Sequence, residues 1–218
     1  MKVVLFGATG MVGQGVLREC LLDPDVEAVL TVGRSATGKR HEKLRELVHA
    51  DLFDLSPVED QLAGYDACFF CLGVSSAGMS EADYRHLTYD LTLAAARTLA
   101  AKNPAMTFVY VSGAGTDATG RSMWARVKGE TENALLALPF KAAFMFRPGG
   151  ILPVHGERSR TRLYRIVYAI MAPLHPLWKA LIPNAITTSE RVGKAMLAVA
   201  KHGAPKPILE TRDINAIV

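Results

Sequence analysis

Three glycines follow an apolar run near the start of the chain. Lys2-Val3-Val4-Leu5-Phe6 leads into Gly7-Ala8-Thr9-Gly10-Met11-Val12-Gly13, spaced G-x-x-G-x-x-G, and Gln14-Gly15-Val16-Leu17-Arg18-Glu19-Cys20 continues with helical character. A strand, a glycine turn and a helix start in that order can hold a dinucleotide pyrophosphate. The first helical N–H groups point at the anion, and the helix dipole favours its charge. Gly7 would make the tight turn, Gly10 would let phosphate reach the backbone N–H groups, and Gly13 would let the helix pack close to the strand. Thr9, Met11 and Val12 belong to the same candidate binding turn. An ordinary strand-to-helix turn can use the same triplet, so spacing alone leaves both uses open.

Two further places could read the rest of such a ligand. The second strand ends in Thr31-Val32-Gly33-Arg34-Ser35, and the nearest acid, Glu27, lies too early to reach a ribose. An acid at this strand end accepts from the ribose 2′-hydroxyl of NAD, whereas an arginine offers a planar fork to the 2′-phosphate of NADP. Arg34, with Ser35, Lys39 and Arg40 nearby, therefore favours NADP(H) over NAD(H), the alternative being a solvated basic loop. Asp51-Leu52, after the third strand, fits an adenine edge and face, or an ordinary strand-end turn.

The elements that must position these residues alternate along the chain. Strands are expected at 3–6, 26–32, 44–50, 65–72, 106–112 and 142–147, with a short last one at 207–209. Helices are expected at 11–22, 56–63, from Ser80 to about Lys102, at 123–138, and from a Thr187-Thr188-Ser189-Glu190 cap to His202-Gly203. Such βα alternation predicts an α/β fold with a doubly wound parallel sheet and a small C-terminal helical lid. Ligands bind such sheets beyond the carboxyl ends of the strands. That would gather residues 7–13, 33–34, 51–52, 71–75, 112–116 and 147–151.

Bulk composition sets the frame. With 218 residues, half of them hydrophobic, one folded domain over 1–218 is expected. The net charge of +4 suits an anionic small molecule, and no motif for nucleic acid is present. Cys20, Cys68 and Cys71 form neither a disulfide framework nor a zinc pattern. Cys68 and Cys71 lie in a strand-like run, where that spacing points them to opposite faces, so both read as small core residues. Unpaired cysteines and the lack of a signal peptide predict a reducing, cytoplasmic setting. Leu163 to Ile182 is apolar but interrupted by Arg165, Pro173, His175, Pro176 and Lys179. It reads as an amphipathic lid, with membrane contact the lesser reading.

Taken together, these residues resemble the atypical and extended short-chain dehydrogenase/reductases, with Tat-interacting-protein-like reductases and nucleotide-sugar epimerase-like proteins as the nearest types. The resemblance covers about residues 1–150. It rests on Gly7 to Gly13, Asp51-Leu52, Cys71-Leu72-Gly73, Tyr110-Val111-Ser112, Lys128 and Arg147-Pro148-Gly149, in family order. It implies a Rossmann-like fold and a Ser, Tyr and Lys set. In that set Ser binds the substrate oxygen, Tyr moves the proton, and Lys holds the nicotinamide ribose and lowers the Tyr pKa. Ser112 and Lys128 match, but the tyrosine position holds Trp124. An indole N–H donates a hydrogen bond and cannot cycle a proton near neutral pH. The resemblance also implies that the Arg147 to Gly149 loop brings backbone near the nicotinamide carboxamide, and that the helices around 81–101 and 123–138 permit a homodimer.

Three readings follow. One is a reductase acting on a small molecule, with Tyr84, Tyr110, His155, Tyr164 or a water supplying the proton. Another is an NADP-binding protein without turnover. The third is an isomerase on the same scaffold. On the substrate side, residues 151–186 are expected to form the lid. Arg158, Arg160, Arg162 and Arg165 would lie near an anionic substrate or in solvent. Leu163, Ile166, Val167, Ile170, Met171, Leu174, Leu177 and Trp178 would form an apolar pocket face or core.

Overall fold

The computed structural model describes residues 1–157 and 185–218. The expected lid, with its four arginines, Tyr164 and Trp178, lies almost wholly outside the described residues. Seven parallel strands form the main sheet: β1 (Lys2–Phe6), β2 (Ala28–Gly33), β3 (Leu44–Val48), β4 (Ala67–Phe70), β5 (Thr107–Val111), β6 (Ala142–Arg147) and β9 (Ile208–Glu210). Their order is β3-β2-β1-β4-β5-β6-β9. The order reverses between β1 and β4, and a crevice opens beyond the strand ends at such a switch.

Central strands are covered on both faces, so they read as unbroken apolar runs. Every residue of β4 and all but the first of β1 are buried. The two-residue period still sorts the side chains. Val3 and Leu5 enter one core layer with Val16, Leu17 and Cys20 of α1 (Met11–Leu22). Val4 and Phe6 enter the other, with Leu93, Ala96 and Leu99 of α3 (Leu91–Lys102). Cys68 belongs to the second layer and Cys71 packs against the first, which bears out the opposite-face reading.

The expected helix after Ser80 is broken into three pieces. Ser80 caps α2 (Glu81–Arg85) by accepting from the Asp83 N–H at 3.1 Å. A π-helical turn over His86–Asp90 follows, and then α3. Residues 56–63 form a 3₁₀ helix, Ser56–Leu62. Further along are α4 (Met123–Leu136) and α5 (Ser189–His202), where the Thr188 side chain accepts from the Arg191 N–H as the expected cap. Two features go beyond the sequence expectation. β7 (Gly150–Leu152) and β8 (Ile186–Thr188) form a separate parallel pair, and α6 (Thr211–Ile217) closes the chain with a Glu210–Asp213 capping box. Three-residue strands are too short to show a period, and α6 is barely two turns long.

Candidate functional site

The glycine turn has the geometry that its spacing requires. Gly7 has φ +82°, and a Cβ there would lie 2.7 Å from the backbone of Cys71 and Leu72. A Cβ on Gly13 would lie 2.1 Å from the Gly7 carbonyl oxygen, so only glycine lets α1 start against the end of β1. Gly10 closes the turn by donating its N–H to the Gly7 carbonyl at 2.9 Å. It stands at the N-cap without a side-chain cap, and the first turn of α1 carries no acid. The N–H groups of Met11, Val12 and Gly13 therefore begin the helix with no intrahelical acceptor, a setting suited to an anion. Thr9 braces the turn by accepting from the Gln14 amide at 3.0 Å.

Beyond the strand ends lies a cavity of about 650 Å³, into which Gly7, Thr9, Gly10, Arg34, Asp51, Leu52, Cys71, Leu72 and Gly73 all face. Residues from four separate stretches of sequence thus meet at the β1–β4 switch. Arg34 is exposed at the rim. Leu52 is buried, and Asp51 is exposed with Oδ1 accepting from the Phe53 N–H at 2.9 Å. Burial pushes the Cys71 thiol well above its ordinary pKa, which makes it a neutral wall rather than a nucleophile. The apolar rim is made by Phe53, Val74, Leu87 and Leu91; the sequence reading placed Val74 at the crevice and missed the other three. Phe53 stacks on His86 with ring centroids 4.3 Å apart. Phe53 lies in a loop with no period, and Leu87 and Leu91 sit in the π turn and at the start of α3, where helical spacing marks them as apolar without showing that they reach the cavity.

A side pocket of about 50 Å³ opens beside the same turn, sharing Gly7, Thr9, Arg34, Leu52 and Leu72 with the large cavity. Thr31, Ser35, Thr37 and Glu46 complete its polar lining.

The Ser112, Trp124 and Lys128 group stands outside the lining of both cavities. Ser112 follows β5 and is 8% exposed. Its Oγ lies 3.0 Å from the Thr116 hydroxyl, which itself donates to the Gly113 carbonyl at 2.8 Å. In that chain Ser112 is the donor to Thr116, so its proton is engaged inside the protein. Lys128 is half-buried, with Nζ 3.5 Å from the Val111 carbonyl and 5.2 Å from the Tyr110 ring centroid. Burial pulls its pKa down to about 8, against an opposing pull from Glu132. The Trp124 indole, one helical turn earlier, packs over Gly115, with Cη2 3.5 Å from where a Cβ would stand.

Other candidates have partners elsewhere. Tyr84 and Tyr110 are buried, and desolvation raises both phenols above their ordinary pKa. His155 Nε2 lies 2.7 Å from Glu190. Arg147 directs Nε and Nη2 to the buried Glu132 carboxylate at 3.0 and 2.5 Å. The Pro148 carbonyl accepts from Ala114 at 2.9 Å, and the Gly149 N–H donates to the Thr211 hydroxyl at 2.8 Å. The close approach that Gly149 permits is therefore to the protein itself, since a Cβ would lie 2.3 Å from the Ala185 carbonyl. Polar groups of this loop that the resemblance would turn toward a nicotinamide are engaged within the chain.

The family described as NAD(P)H-binding matches residues 7–138, from the first glycine through α4. The chain belongs to that NAD(P)H-binding family. Two relatives show how far the likeness extends. "Protein fmp52, mitochondrial" of Emericella nidulans is 31% identical over 204 residues, covering 89% of this chain and 84% of the relative. "Protein FMP52-2, mitochondrial" of Scheffersomyces stipitis is 29% identical over 212 residues, covering 95% and 89%. Among solved structures, a UDP-glucose 4-epimerase superposes with a TM-score of 0.73 at 16% identity, covering 98% of this chain and 80% of that one. The Bordetella bronchiseptica enzyme WbmF in complex with NAD+ gives 0.69 at 17%, covering 96% and 72%. At those identities the likeness is one of fold, and it agrees with the Rossmann-like parallel sheet.

An NAD(P)(H) molecule fits the residues present. The uncapped start of α1 takes an anion, the 650 Å³ cavity is of a size for a nucleotide, and Leu52 offers an apolar face. The cytoplasmic expectation does not survive the comparison, because the curated relatives are named as mitochondrial proteins. Unpaired cysteines do not identify a compartment. Among the described residues no helix is long and apolar enough to cross a membrane.

Proposed function

We propose that the protein is an NADP(H)-dependent oxidoreductase acting on a small carbonyl compound. The observation that carries this reading is the single cavity into which the glycine turn, Arg34, Asp51-Leu52 and Cys71 to Gly73 all face. Arg34 gives the preference for the 2′-phosphate, as the one cation among the described residues that line either cavity. When bound, the coenzyme supplies hydride to the carbonyl carbon. The chain does the rest. Gly10 to Gly13 hold the pyrophosphate. Lys128 holds the nicotinamide ribose. Ser112 turns its hydroxyl from Thr116 to the substrate oxygen and stabilises the charge that develops there. Trp124 packs beside them over Gly115. Tyr84 and Tyr110 are enclosed and His155 is paired, which leaves the proton to water or to Tyr164, a residue outside the described ones.

A second reading, coenzyme binding without turnover, is favoured by two observations. Trp124 stands where the proton-moving phenol would be, and the Ser112 proton is already engaged. Titration of the purified protein with NADPH and NADH, followed by tryptophan fluorescence, tests the coenzyme assignment. NADPH is expected to bind more tightly, and equal or tighter NADH binding removes Arg34 from its role. A panel of small aldehydes and ketones with NADPH separates the two readings. Turnover by the parent that Ser112→Ala abolishes supports the enzyme. Turnover that appears only in Trp124→Tyr supports the binding protein.

A further inference from the structure

Among the described residues the side pocket holds one cation, Arg34, and one anion, Glu46. Glu46 lies on β3 in register with Thr31 of β2, and both residues line the pocket. Its Oε2 accepts from the Thr37 N–H at 2.5 Å, which folds the loop after β2 back over the strand ends. Among the described residues the other carboxylate oxygen takes no hydrogen bond, which leaves it an acceptor. The pocket shares Gly7 and Thr9 with the pyrophosphate turn and Leu52 with the adenine-side lining. It is therefore placed for the adenosine ribose.

We propose that Glu46 is a specificity-determining residue, which with Arg34 sets how strongly this pocket distinguishes a ribose 2′-phosphate from a 2′-hydroxyl. This rests on the reading that the pocket receives the adenosine ribose of NAD(P)(H). A 2′-phosphate gains the Arg34 fork but meets a carboxylate of like charge. A 2′-hydroxyl gains an acceptor in the same carboxylate. The position is invisible to a search for an acid at the end of β2, because the acid arrives from the neighbouring strand through the parallel register.

Two variants separate charge from anchoring. Glu46→Gln keeps an oxygen that can accept from Thr37 and removes the charge. Glu46→Leu removes both. Dissociation constants for NADPH and NADH are measured by fluorescence titration for the parent, both variants and Arg34→Ala. In Glu46→Gln the NADH-to-NADPH ratio of dissociation constants is expected to rise about tenfold, the scale of one charge interaction at a half-buried site. NADPH tightens and NADH weakens. An unchanged ratio in Glu46→Gln, with both nucleotides weakened alike in Glu46→Leu, makes Glu46 a loop anchor and overturns the proposal. A parent that binds neither nucleotide overturns it together with the coenzyme reading. An Arg34→Ala protein with undiminished NADPH preference removes only the Arg34 assignment, and the Glu46→Gln ratio then decides this one by itself.

Discussion

Glu132 is 1% exposed, and its carboxylate receives hydrogen bonds from both Nε and Nη2 of Arg147 at the end of β6. Removing one partner of a buried pair leaves the other charge poorly compensated, at a cost of about 3 kcal/mol. Glu132→Ala should therefore lower unfolding stability in urea by about that amount, with Glu210 compensating only in part, since it lies 3.4 Å from Arg147. A change under about 1 kcal/mol would mean that the pair is dispensable. Arg147 was legible as a site residue only through its motif neighbours. What the sequence concealed was its partner, fifteen positions earlier on a helix. Lys128 gives a pH-dependent test. Burial lowers its pKa from an ordinary 10.5 to about 8, so between these values the unfolded chain binds more protons than the folded one. Stability contributed by this group therefore rises with pH across that window. Melting curves of the parent and Lys128→Met, recorded from pH 7 to about pH 10, should show the parent gaining on the variant above pH 8. Curves that stay parallel would show that the ammonium is not desolvated.

The start of α1 is fixed by steric fit at three glycines. Gly13 meets the Gly7 carbonyl, and Gly15 meets Ser189 on α5, where a Cβ would lie 2.6 Å from the serine Cβ. Across the same helix pair, Gly193 accommodates Glu19, whose Cγ would be 2.7 Å away. Gly15→Ala should cost about 1–3 kcal/mol by overpacking, read as a lower urea midpoint with unchanged slope. Gly13→Ala should abolish nucleotide binding, because its nearest neighbour is rigid backbone. Unchanged binding in a folded Gly13→Ala protein would refute the tight turn. Strands and helices with a clear period were legible to within a few residues, and α1 was read with its observed bounds. The break at His86–Asp90 was not, because a π turn needs only one extra residue per turn and leaves the apolar spacing nearly intact. That break carries Leu87 to the cavity rim.

At the scale of the molecule, the sheet brings four stretches of chain to one crevice, and a ligand bound there stabilises all of them together. NADPH at a hundred times its dissociation constant should add about 2.7 kcal/mol to unfolding stability. In a protein of this size that corresponds to a melting-temperature rise of roughly 5–11 °C. A scan with no shift would mean that the folded state does not take the coenzyme. The architecture and the geometry of the glycine turn were the most readable parts, because both are written in local patterns. The apolar rim and the Glu46 pocket come from pairings between distant segments, which no local pattern records.

The α1–α5 contact has one more consequence, for synthesis. Gly15 packs on Ser189, and Lys201 pairs with Asp23 at the far end of the same helix. Helix α1 precedes α5 by most of the sheet, so its α5-facing side stays uncovered while the strands between them are made. Chaperone demand should concentrate in that interval.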